Sequence, residues 1–253
     1  MLLFLRSLSS LSLIWLVLNY WLAVRLEFWF WLFALLALAG TLAVFWLIAK
    51  QAKLKPNLWD LNFFPCVALL GSFSALLFSE KVFFQAIIAL GMTLLISLYQ
   101  ENYFRFVFQP ARYQTNSLLN LSQVFAALGI FFVAVSLFDF MIFAYLPLWV
   151  AGLIFGAFLG LWLVFVLRKF DVPLKIGKVY IFGGIIVGLE LFALVGWFPI
   201  LPIYKAGILM VFLAFLINQI RNESATKPGS RRWASIIYTA VLISLLVTAK
   251  WFT

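Results

Sequence analysis

The stretch GGIIVGLELFALVGWFPILP, Gly183 to Pro202, is an apolar run with one carboxylate, Glu190, near its middle and two prolines, Pro199 and Pro202, closing it. A helix needs about 20 predominantly apolar residues to cross the hydrocarbon core of a bilayer, and this run supplies them. An ionised carboxylate at that depth costs several kcal/mol, so such a residue is expected to face the bundle interior and find a partner. Glu190 is therefore the first candidate for an intramembrane site. The competing expectation is an acid that is protonated, or hydrogen-bonded to a neighbouring helix, and that only fixes packing.

Outward from this run the same texture continues. Of 253 residues, 66% are hydrophobic and only 10% charged, against roughly half apolar and a quarter charged in a soluble domain. The class is all-α, a polytopic transmembrane helix bundle folded as one domain. Charges and turn residues divide it into about nine spans: Leu8–Val24, Phe28–Ala49, Leu61–Phe78, Val82–Tyr99, Leu118–Phe138, Pro147–Leu167, Val179–Phe198, Tyr204–Ile220 and Trp233–Ala249. The first could pass for a secretory signal, but no small-x-small cleavage pattern precedes Arg25, so it is read as a retained span. Pro65 is expected in the first turns of the third span, where a missing N–H is tolerated. Gln100 to Ser117 reads as the longest polar interruption, with Tyr103, Phe104, Phe106, Phe108 and Tyr113 among Arg105 and Arg112, a mixture suited to the headgroup layer.

Nine spans put the termini on opposite sides, and the basic residues decide which. A cytoplasmic N-terminus places Arg6, Lys50, Lys53, Lys55, Arg105, Arg112, Arg168, Lys169, Lys175, Lys178, Arg221, Lys227, Arg231 and Arg232 inside, leaving Arg25, Lys81, Lys205 and Lys250 outside with the C-terminus. The net charge of +10 is thus topology and attraction to anionic headgroups on the cytoplasmic side. Nucleic acid is not an expected partner.

Absences narrow the chemistry. There is no histidine, which excludes His-based zinc sites, Ser-His-Asp triads and haem ligation through His. Cys66 is the single cysteine, so no intrachain disulfide can form. No phosphate-binding glycine loop, HExxH pair or Gly-x-Ser-x-Gly elbow occurs, and Asp60, Glu101, Asp139 and Asp171 each stand alone. An enzyme is the least favoured class, and neither cofactor nor metal is expected.

Gly152, Gly156 and Gly160 make two small-xxx-small steps in the sixth span, and Gly184 and Gly188 make one in the seventh. Bare backbone at that spacing lets two helices approach closely, so these spans are expected to pack through their glycines. At roughly 100° per residue, Glu190 lies about 240° round from Gly184 and about 200° from Gly188, away from that face. The nearest cation in sequence is Lys205, whose stem could reach Glu190 across the Pro199–Pro202 turn. A second polar collection, Thr93, Ser97 and Gln100 with Asn116, Asn120 and Gln123, recurs at helical spacing. It is expected either to line a cytoplasmic vestibule or to hydrogen-bond two helices together. A faint echo, Leu146, Pro147, Trp149, Ala151, Gly152 against Leu201, Pro202, Tyr204, Ala206, Gly207, would make the fifth and sixth spans a parallel repeat of the next two.

Gly188, Leu189, Glu190, Leu191, Phe192, Trp197, Pro199 and Tyr204 together resemble a segment of uncharacterised multi-spanning proteins from small-genome candidate-phylum bacteria. That resemblance covers the last three spans and implies a bacterial inner-membrane setting, with no activity attached. The first functional reading is a non-enzymatic scaffold or subunit of a membrane assembly, whose partners are the bilayer and other membrane proteins or further copies of itself. The alternative is a small-solute or proton-coupled transporter that uses Glu190.

Overall fold

The computed structural model describes residues 2–51, 58–79, 81–114, 117–169 and 174–224, and parts of 240–249. Among the described residues every regular element is helical: α1 (Leu2–Arg25), α2 (Phe30–Gln51), α3 (Leu58–Leu77), α4 (Val82–Phe108), α5 (Ser117–Phe143), α6 (Leu148–Lys169), α7 (Leu174–Gly196) and α8 (Pro202–Ser224). Short 3-10 turns at Glu27–Trp29 and Pro110–Arg112 lead into α2 and out of α4. Among the described residues five stretches are long and apolar enough to cross a membrane: Phe30–Gln51, Val82–Phe108, Ser117–Phe143, Leu148–Arg168 and Gly177–Gly196. Ser10–Arg25, Asn62–Leu77 and Pro202–Leu216 are shorter apolar helices. The expected span at 233–249 lies largely outside the described residues.

Helix boundaries differ from the hydropathy reading by several residues, and three of the differences change how a named residue is placed. The helix expected to stop at Tyr99 runs on to Phe108, so much of Gln100–Ser117 is helix. Ile96, Tyr99, Gln100, Tyr103 and Phe104 keep one buried face through the change in polarity, and no proline intervenes before Pro110. The helix expected to stop at Phe138 continues to Phe143, which encloses Asp139. Helix α3 begins at Leu58, which makes Pro65 an interior residue rather than a first-turn one. Its ring removes one helical hydrogen bond there.

The chain divides into two compact units, Met1–Gly129 and Ile130–Thr253, with the boundary inside α5. In the first, α1 packs on α2 and α4, and α3 packs on α2 and α4. Lipid tails are as apolar as leucine, so helices hold together here by close packing and hydrogen bonds rather than by exclusion of water. Accordingly α2 buries a narrow seam in which small residues recur: Phe30, Ala34, Ala37, Thr41, Val44, Phe45, Ile48. Aromatic rings fill the centre. Tyr20 stacks on Phe73 with centroids 4.2 Å apart, and Tyr99 meets Phe45 and Phe125 edge-on at 5.6 and 5.5 Å. In the second unit, α6 packs on α7 and α7 on α8, while the run Ala134–Asp139 of α5 is buried on every side before the helix ends at exposed Ile142 and Phe143.

Candidate functional site

The α6–α7 contact is antiparallel and reciprocal. Leu189 sits 3.1 Å from where a Cβ on Gly156 would be, and Ile185 lies at the same distance from one on Gly160. In return, Leu163 approaches Gly184 to 2.8 Å, and Leu159 occupies the space that a side chain at Gly188 would need. Each glycine is a hole for a branched side chain of the other helix, which gives the close approach that dispersion requires. Gly152 stands apart from this arrangement, with nothing near the position of its missing side chain.

Burial of Gly184, Gly188, Phe192 and Val195 fixes the rotation of α7 and turns the opposite face outward. Val179, Gly183, Val187, Glu190 and Leu194 recur at three- and four-residue steps on that face, and all are exposed. The carboxylate expected to point inward therefore lies on the outside of the helix. Among the described residues no hydrogen bond or ion pair reaches Glu190. Lys205 is engaged elsewhere. Its Nζ donates to the carbonyl of Gly196 at 2.9 Å, closing the C-terminal end of α7, and lies 5.5 Å from the centroid of Phe138. A cation at a helix C-terminus meets carbonyls without helical partners and the negative end of the dipole, and the ring face adds to its attraction. Phe138 in turn stacks on Phe192, and Phe192 on Phe155, each at 4.7 Å.

Among the described residues the buried acid of this unit is Asp139, 8% exposed and without a hydrogen bond or ion pair to any of them. Polarity alone reads it as the end of a span. The signal for its enclosure is the apolar Phe140–Phe143 that follows and completes another turn of α5.

The polar stripe of α4 faces more than one neighbour. Thr93 and Gln100 are buried, and Ser97 is half-buried. Gln100 turns to α1, where Ser12 Oγ donates to its Oε1. Contacts between α4 and α5 include Tyr99 OH and Ser122 Oγ, 3.3 Å apart, and Ser117 Oγ, which donates to Asn102 Oδ1 at 2.7 Å. Asn120 is exposed and Gln123 half-buried; Asn116 lies outside the described residues. Thr93 Oγ1, Gln100 Nε2 and Tyr103 OH are buried without a hydrogen-bond partner among the described residues. Buried groups of this kind normally meet a partner or an ordered water. Among the described residues no three His, Cys, Asp or Glu side chains cluster as metal ligands would.

Comparison with protein-family models, with curated proteins and with solved structures finds no match to this chain.

Proposed function

We propose that the chain is a multi-pass protein of a bacterial inner membrane, and that it serves as a non-enzymatic subunit or scaffold of a membrane assembly. Five long apolar helices and three shorter ones support the membrane setting. The basic loops support a cytoplasmic N-terminus, nine crossings and contact with anionic headgroups. The bacterial setting rests on the resemblance of the Gly188–Tyr204 segment.

The outward position of Glu190 carries the subunit reading. A carboxylate facing lipid is costly, and ionisable residues in membrane helices face protein or water-filled space. Here the described helices turn it the other way, and the surface that α7 presents, which none of them covers, suits contact with another molecule. The test is the size of the particle extracted with its native lipids. Wild type should run as a defined species larger than one chain, and Glu190→Leu, which suits a lipid-facing position, should run smaller without loss of thermal stability. A wild type that runs as a single chain in native membranes contradicts the reading.

A second reading, a small-solute or proton-coupled transporter, is favoured by a different residue. Its acid would be the enclosed Asp139 of the second unit rather than Glu190. Its signature is a proton flux into liposomes that Glu190→Gln retains and Asp139→Asn abolishes. The absence of flux in wild type removes it.

A further inference from the structure

We propose that the outward face of α7 receives a transmembrane helix of another protein that carries a lysine or arginine at the depth of Glu190. The proposal rests on the subunit reading and specifies the partner's chemistry. Glu190 lies six residues before Gly196, about 9 Å along the axis at 1.5 Å per residue. A cationic lipid headgroup stays at the interface, whereas a basic side chain on a neighbouring helix can reach that depth along its alkyl stem. Charge complementarity therefore selects protein over lipid.

The same face is built for close approach. Gly183, two turns before Glu190, has open space where a side chain would be, and Val187 and Leu194 flank the acid with apolar surface. A second copy of this chain fits less well. Symmetric pairing about α7 would set Glu190 against Glu190, and like charges at short range disfavour both ionised forms. Nor do the described residues offer a free cation at that depth: Lys205 is held at Gly196 and Phe138, and Lys178 lies twelve residues away, about 18 Å along the helix.

The full chain, labelled with a donor fluorophore and reconstituted in liposomes, can be titrated with acceptor-labelled leucine-rich transmembrane peptides that differ at one central position. A peptide with lysine there should associate at least about tenfold more tightly than its leucine twin, a difference of roughly 1.4 kcal/mol. Glu190→Gln should remove that preference while melting as wild type does. Equal binding of the two peptides overturns the proposal, as does a lysine preference that survives in Glu190→Gln. Glu190-dependent energy transfer between labelled copies of the chain also overturns it, because the face then belongs to a second copy. The subunit reading has its own test in native particle size, and it survives if that size is large while the lysine peptide shows no preference.

Discussion

Leu159 fills the notch at Gly188, and one turn along the same contact Leu189 fills the notch at Gly156. This reciprocal seating sets the rotation of α7 and so decides which way Glu190 points.

Substitution into the notches should therefore cost stability. Gly156→Leu and Gly188→Leu force side chains into filled space, and overpacking of this kind costs about 1–3 kcal/mol. Gly152→Ala, where the space is open, should be neutral or should gain up to about 1 kcal/mol from helix propensity. Thermal unfolding in nanodiscs measures all three. Equal melting of Gly188→Leu and wild type would rule out the close contact.

Lys205 and Glu190 should behave as independent residues. Lys205→Met removes the donor to Gly196 and the charge over Phe138, so it should lower the melting temperature. The effects of Lys205→Met and Glu190→Gln should then add to within about 0.5 kcal/mol, as expected for uncoupled positions. A larger coupling would mean that the two meet as an ion pair.

How much of this was legible in the sequence depends on the kind of signal. The angle between Glu190 and the glycine face follows from helical geometry alone, and it places the acid away from Gly184 and Gly188. Whether anything covers the opposite face is a property of the whole bundle, and no local pattern carries it. The same division holds for α4 and α5. Gln100 and Asp139 look like span ends because they are polar, yet the apolar periodicity that runs past each of them into Tyr103–Phe104 and Phe140–Phe143 keeps both inside helices. Polarity marks where a span could stop; burial of Tyr103 and Phe104 holds α4 together past Gln100, whereas α5 runs past Asp139 on apolar residues that become exposed at Ile142 and Phe143. The partner of Gln100 was out of reach for another reason, since Ser12 lies 88 residues away in the chain.

Ser12 and Gln100 should reveal their hydrogen bond through an asymmetry. Ser12→Ala removes one partner of a buried amide, which costs about 1–3 kcal/mol when the amide is left unsatisfied. Adding Gln100→Leu to that variant should restore part of the loss, because no buried amide then remains. A double variant less stable than Ser12→Ala would mean that Gln100 has a further role.

Tyr145, just after α5, adopts a φ of 54° in the left-handed region while its side chain is 88% exposed. Glycine takes this conformation without the steric penalty that a Cβ brings, so Tyr145→Gly should stabilise the protein by about 1 kcal/mol. A loss of stability would show that the tyrosine ring makes a contact worth more than the strain.

Asp139 separates the two functional readings on stability as well as on flux. An enclosed carboxylate with no partner among the described residues is a cost to the fold, so Asp139→Leu should raise the melting temperature, by an amount on the order of 1 kcal/mol or more. Destabilisation by Asp139→Leu would mean that the carboxylate does have a counter-group.

The most direct test of the account is a photo-activated cross-linker placed at Leu194, one turn from Glu190 on the outward face of α7, and irradiated in native membranes. The account predicts a protein adduct of one discrete mass, with a yield that falls severalfold in Glu190→Gln, and no such adduct from the same group at exposed Leu161 on α6. If Leu194 and Leu161 alike yield only lipid adducts, the outward face of α7 is not an assembly surface.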